Sequence, residues 1–235
     1  MLVARVDDET GKPIALLFNH GTHGVSMMSR ELTGDWCGIA AQRIEEEFGG
    51  NVVASFLSGA AGDINSIHVA KETFDDPAGG ADVLARMVAD EVLGVAKNIT
   101  TEDCSGVSAA QRNVDLPGKR YLGLLGFDPK YDGIAKDTTP VADTTVKMSV
   151  IRVGPVVFAG VNGEIFSEIG MEFKRKSPCA DSMFMGICNG YISYIPTESE
   201  IERGSYEYNA SVIKSGAHKV IVETLVDMVG DFIRK

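Results

Sequence analysis

The apolar run Pro13 to Phe18 is followed directly by Asn19-His20-Gly21-Thr22-His23-Gly24, and this juxtaposition limits the fold more than any other feature of the chain. A short Ile/Leu-rich run bounded by glycine reads as a buried strand. A histidine at its C-terminal end is aimed from a rigid element into whatever crevice the fold leaves there, which is where metal ligands are commonly mounted. Two histidines three residues apart, His20 and His23, also occur as satisfied core or loop residues in proteins that bind nothing, so the rest of the chain has to decide.

The pattern of runs and stripes predicts further elements. Leu2 to Val6, the turn-rich Asp7 to Lys12 and Pro13 to Asn19 form a hairpin. Thr33 or Asp35 caps a helix running to Phe48, because Trp36, Ile39, Ala40, Ile44 and Phe48 fall on one stripe. A buried strand, Val52 to Leu57, leads into a glycine-rich loop, Ser58 to Asn65, and a second helix follows from about Gly80 to Lys97. Leu116 to Thr144, rich in Gly, Pro, Asp and Thr, reads as a long excursion that forms a lid, borders a cleft or is only a surface loop. Alternation at Val146, Met148 and Val150, the Gly154-Pro155 turn and the apolar run Val156 to Val161 make a second hairpin. A helix over Glu164 to Lys176, a strand over Met183 to Cys188, an extended piece through Tyr194 and a C-terminal helix striped by Ile221, Leu225, Met228 and Phe232 complete the chain. Strands mixed with helices, hairpins included, predict an α/β fold of mixed β-sheets flanked by helices in a layered sandwich. With 235 residues and 44% hydrophobic content, the expectation is a single domain over residues 1–235.

Composition excludes several functions. The net charge of -11 comes from scattered acidic residues, so no clustered Lys and Arg are present to hold a nucleic-acid backbone. Glu45-Glu46-Glu47 is the solvated face of a helix. The four cysteines, Cys37, Cys104, Cys179 and Cys188, include no C-x-x-C pair and are expected to be reduced buried thiols, with a Cys179–Cys188 pair as the alternative in an oxidising compartment. No apolar run approaches the roughly 18 residues of a membrane span, and the N-terminus has no basic segment followed by an apolar one. Gly59-Ala60-Ala61-Gly62-Asp63 lacks the Lys and Ser/Thr of a phosphate-binding loop.

His20, Asn65 and Glu164 each follow a buried strand directly or within a short glycine loop, and residues at neighbouring strand ends converge in space. The segment Asn189 to Thr197 adds Tyr191 and Tyr194 behind another apolar strand. Imidazole nitrogen, carboxylate oxygen and phenol oxygen together suit Zn²⁺ with a position left for water. Water activated by the cation and a carbonyl polarised by it make hydrolysis of an amide or ester the natural chemistry.

These residues resemble the neutral/alkaline (non-lysosomal) ceramidase family, from the first hairpin to the last helix. The family's strand ending in histidine, a small residue and Thr is similar to Phe18 to Thr22. Its helix start resembles Thr33-Gly34-Asp35, its Gly-Asp-Val-Ser-Pro loop Gly62 to Ser66, its acidic residue before a helix Gly163-Glu164, and its tyrosine segment Tyr194 to Thr197 with Tyr206-Glu207. The resemblance implies a Zn²⁺ held by His20, Glu164 and Tyr194, with Tyr206 assisting at the reacting carbonyl and Gly62 and Asp63 in substrate binding. It favours His20 over His23, which is left to a supporting or structural role. Glu164 without the resemblance would read as a carboxylate stabilised by a helix N-terminus, and Asp63 as a turn cap. His68 and His218 read as structural or solvent-facing.

Two departures shape the expectation. The family's first histidine lies in a Thr-His-Thr-His-Ser-Gly-like segment upstream of the hairpin, and no such segment precedes it here, so the chain matches the C-terminal portion of the family's catalytic domain. The family's serine nucleophile falls on Asn65, whose amide cannot attack as an alkoxide could. Metal-activated water is therefore expected to cleave an N-acyl bond in a small or lipid-like substrate, with Asn65 and the backbone N–H groups of Gly59 to Asp63 positioning it or stabilising an oxyanion. The alternative is a truncated or split, catalytically incomplete member that serves as a binding or assembly module and receives its N-terminal segment in trans.

Overall fold

The structure, a computed structural model, describes residues 1–27, 32–66, 77–104, 106–122 and 141–234. It forms two compact units, one made of Met1–Ser58 with Ile64–Cys104, the other of Gly59–Asp63 with Ser105–Lys235.

The first unit contains strands β1 (Leu2–Asp7), β2 (Pro13–His20) and β3 (Val53–Ser58) and helices α1 (Asp35–Glu47) and α2 (Pro77–Ala96). The expected hairpin is present: the Asp8 carboxylate accepts from the Thr10 N–H at 2.8 Å and the Lys12 N–H at 3.1 Å, closing a turn that Gly11 completes at φ +80°. β2 is the central strand, antiparallel to β1 and parallel to β3, which pairs His20 with Ser58 at the far end. A parallel pair needs a crossover, and α1 supplies it. Asp35, at φ +52°, accepts from the Trp36 N–H at 2.7 Å and the Met27 N–H at 2.8 Å, while its own N–H donates to Thr33 Oγ1 at 3.0 Å. The N-cap itself is Gly34, and the two residues expected to cap the helix flank it. Leu16, Phe18, Trp36, Ala40 and Ile44 are fully buried and pack with Ala85, Val88 and Val92 of α2.

The second unit is built on a sheet of order β4-β5-β6-β8, with β4 (Val107–Leu116), β5 (Thr144–Val153), β6 (Val156–Val161) and β8 (Ser182–Met185). The hairpin β5–β6 matches the sequence expectation, and β6 runs parallel to β8 across helix α3 (Ser167–Lys176). Val146, Met148 and Val150 of β5 meet Ile169 and Phe173 of α3 and the stripe Ile221, Leu225 and Met228 of the C-terminal helix α6 (Ala217–Ile233). Between them lie a short parallel pair, β7 (Glu164–Ile165) with β9 (Tyr194–Ile195), and the helices α4 (Glu198–Arg203) and α5 (Tyr206–Asn209).

Several elements differ from the sequence reading: the strand expected over Met183 to Cys188 ends at Met185, and α4 and α5 have no counterpart in it. β4 carries almost no apolar pattern and is exposed along most of its length; its strand character comes from a ten-residue register with β5 at the sheet edge, information that lies in the partner. The helix expected from Glu164 starts at Ser167, because the Glu164 N–H donates to Ser193 O at 2.9 Å and the Phe166 N–H to Ile195 O at 3.3 Å, drawing residues 164 and 165 into a strand. Most of the excursion expected between Leu116 and Thr144 lies outside the described residues, as does His68. Among the described residues no helix is long and apolar enough to cross a membrane, and all four cysteines are free.

Candidate metal centre

His20 ends β2. Its Nε2 lies 3.2 Å from Thr22 Oγ1, and its ring meets Trp36 edge to face at 5.7 Å between centroids. Trp36 is fully buried, meets Phe56 edge to face at 5.0 Å and donates its indole N–H to His23 O at 2.9 Å. Packing thus fixes the plane of the imidazole. His23 contacts the loop instead: its backbone N–H at 3.0 Å and its Nδ1 at 3.1 Å both reach Ile64 O. A carbonyl only accepts, so Nδ1 carries the proton. His23 thus braces the loop beside Asn65, which is exposed, and Ser66, which is buried.

In the second unit Glu164, Tyr191, Tyr194 and Tyr206 come together. β7 and β9 pair Glu164 directly with Tyr194. Tyr191 Oη donates to Glu164 Oε1 at 2.5 Å, and the Tyr194 and Tyr206 rings meet edge to face at 5.9 Å. Burial and then the hydrogen bond to the Glu164 carboxylate push the Tyr191 phenol up to about 12. Burial pushes Tyr194 above its ordinary value as well, followed by the charge and hydrogen bond of Glu164 and by the neighbouring phenols Tyr206 and Tyr191. Both phenols are neutral O–H donors at neutral pH, gathered on one carboxylate.

Residues 187 to 193 hold this geometry. Among the described residues four non-glycine residues have positive φ, and three of them, Ile187, Asn189 and Ser193, fall in this short segment. For a β-branched residue such as Ile187 that conformation is costly and persists only when neighbours enforce it. They do so here: Ile187 N–H donates to Gly163 O at 3.0 Å, Cys188 N–H to Val161 O at 2.8 Å and Ile192 N–H to Asn162 O at 2.9 Å.

The loop Gly59–Asp63 belongs to the same unit. A Cβ on Gly62 would lie 2.7 Å from Glu164 O, so only glycine permits the approach, and its N–H donates to Ile165 O at 2.8 Å. That N–H is committed to β7 and does not serve as an oxyanion donor. Asp63 accepts from Ser167 N–H at 2.6 Å and Ser167 Oγ at 2.8 Å. The anion at the N-terminus of α3 is therefore supplied by Asp63 from a remote loop, which leaves Glu164 outside that role. An open concavity of about 440 Å³ lies beside the loop, lined by Asp63, Phe166, Glu168, Glu200, Arg203 and Glu207 among others; it is not built from the tyrosine cluster. His218 pairs with Glu172 at 2.8 Å, as a structural or solvent-facing residue would.

Tyr191 is the residue whose part the sequence did not disclose. The Asn189-Gly190 turn signal directly before it marks a reversal of the chain, which is what returns the phenol to Glu164. Among the described residues no three His, Cys, Asp or Glu side chains form a metal-binding group. The expected donor set uses a phenol in place of one such group, and a carboxylate that attracts neutral phenols is one whose charge a divalent cation also compensates. Imidazole, carboxylate and phenol donors fit zinc's preference for mixed nitrogen and oxygen ligands.

No protein-family model matches the sequence, and no curated protein matches it. Among solved structures, the neutral ceramidase from Pseudomonas aeruginosa superposes with a TM-score of 0.74 at 18% identity, over 97% of this chain and 46% of that one. A ceramidase complexed with C2 gives a TM-score of 0.78 at 17% identity, over 99% of this chain and 48% of that one. The chain thus spans about half the length of these structures, and what it shares with them is the fold: a mixed α/β architecture found within a neutral ceramidase.

Proposed function

We propose that this chain is ceramidase-like: a zinc-dependent amidohydrolase that cleaves the N-acyl bond of a small or lipid-like substrate. His20, Glu164 and Tyr194 are its ligands to the metal. The observation that carries this reading is the Glu164 carboxylate set on β7 directly opposite Tyr194 and contacted by Tyr191. Its support is the shared fold of the ceramidase structures. Zinc, when bound, activates water near neutral pH and polarises a carbonyl.

The remaining steps fall to the protein's own residues. Tyr206, edge to face with Tyr194, donates a hydrogen bond from its phenol to the oxygen of the reacting carbonyl. Asn65, exposed and one residue beyond the carbonyl gripped by His23, orients the acyl group through its amide. Gly62 and Asp63 contribute to substrate binding by holding the loop's shape against β7 and α3.

A panel of N-acyl amides of increasing chain length, including N-acyl sphingoid bases, tests the reading on the purified chain. Turnover that requires zinc and is lost in His20→Ala and Glu164→Gln is expected. Turnover of phosphate esters without amide cleavage, or amide cleavage indifferent to chelation, contradicts it.

A further inference from the structure

Tyr191 presents an unusual combination: the residue is 60% exposed, yet its hydroxyl is turned onto the Glu164 carboxylate at 2.5 Å. The segment that carries it follows a costly path, with Ile187, Asn189 and Ser193 all at positive φ and Gly190 at φ +136°. The bonds that hold this path come from other groups. Ile187, Cys188 and Ile192 use backbone N–H groups, Ser193 Oγ donates to Ala210 O, and Asn189 Nδ2 donates to Ser149 Oγ at 2.7 Å. The backbone of the loop is therefore fixed by groups other than the Tyr191 phenol, and that backbone path is what brings the phenol to Glu164 as a donor beside Tyr194.

We infer that Tyr191 is a positioning residue for Glu164: its phenol occupies one carboxylate oxygen and so fixes the rotamer in which the other is presented to a divalent cation. The inference rests on Glu164 being a metal ligand, as proposed above. Groups that hydrogen-bond to a ligating side chain set its orientation, and their loss typically weakens metal binding about 10- to 100-fold. Tyr191 does not touch substrate in this role; it acts through Glu164.

Zinc dissociation constants, measured on the full chain by competition with a chromophoric chelator, test this in the wild type, Tyr191→Phe, Glu164→Gln and the double variant. Phe keeps the ring and removes only the hydroxyl. The expected result is zinc binding weakened about 10- to 100-fold in Tyr191→Phe with an unchanged melting temperature, and no further loss when the substitution is added to Glu164→Gln. Wild-type or tighter binding in Tyr191→Phe, a lowered melting temperature, or an equal loss in both backgrounds overturns the inference while leaving Glu164 as a ligand. Wild-type binding in Glu164→Gln is a separate outcome, and it removes the metal reading together with the inference.

Discussion

The two units hold their candidate ligands by different physics. In the first, His20 ends a strand whose Leu16 and Phe18 are fully buried, and its ring lies against an equally buried tryptophan. In the second, Glu164 sits on a two-residue strand kept in place by backbone hydrogen bonds, by a glycine that admits the Gly59–Asp63 loop and by a segment with repeated positive φ. Packing tolerates substitution in proportion to the volume removed, whereas a site built on close backbone approach fails at single atoms. The comparison teaches that the histidine is mounted on a core and the carboxylate on a lattice of exact contacts.

The largest effect expected is from Trp36→Ala. Truncating a buried tryptophan costs about 3–5 kcal/mol, and the loss falls on the first unit, because Trp36 joins His20, Phe56 and His23 O. Chemical denaturation followed by far-UV circular dichroism checks it; a cost below about 1 kcal/mol would show that packing does not hold His20. Gly62→Ala inverts the experiment. One methyl group directed at Glu164 O should cost about 1–3 kcal/mol, since the nearest backbone atom is 2.7 Å away. Hydrogen exchange is expected to rise at Glu164 and Ile165 while β2 keeps its protection, and unchanged exchange at β7 would contradict the account.

Asp63→Ala removes the carboxylate that takes two hydrogen bonds from Ser167. Loss of such a cap costs about 1 kcal/mol, read as a lower denaturation midpoint that Asp63→Asn partly restores. The smallest effect concerns Lys119, whose Nζ donates to Tyr208 O at 2.6 Å and Ser211 O at 3.0 Å and lies 4.4 Å from the centroid of the Tyr208 ring, next to the helix that carries Tyr206. Burial pulls its pKa from 10.5 down to about 8. The folded protein then releases this proton before the unfolded chain does, so the contribution of Lys119 to stability rises as pH climbs from about 8 to 10.5 and levels off beyond. The carbonyl oxygens favour the charged form and make the slope shallow. Lys119→Met should flatten it, and identical slopes in the two proteins would show that Lys119 keeps its proton throughout.

How far the sequence could be read follows the same division. The hairpin, both long helices of the first unit, the β5–β6 hairpin and the stripe of α6 were legible because burial imposes a period on apolar residues. His20 was legible for the same reason, as the polar end of an apolar run. Glu164 could be picked out, but its local structure could not: a two-residue strand has no period, and its pairing with Tyr194 is set by Ser193 O and Ile195 O, far along the chain. β4 was hidden because an exposed edge strand carries little pattern of its own. The part played by Tyr191 was hidden because it depends on backbone conformations at Ile187, Asn189 and Ser193 that side-chain chemistry does not announce.

The central proposal is that His20, Glu164 and Tyr194 are ligands to zinc. Equilibrium dialysis of the purified chain against buffered zinc, followed by elemental analysis, measures this directly in the wild type, His20→Ala, Glu164→Gln and Tyr194→Phe. The account predicts one tightly held zinc in the wild type and a large loss in each of the first two variants, with a smaller loss in the third. Zinc content that stays the same in His20→Ala and Glu164→Gln would contradict it.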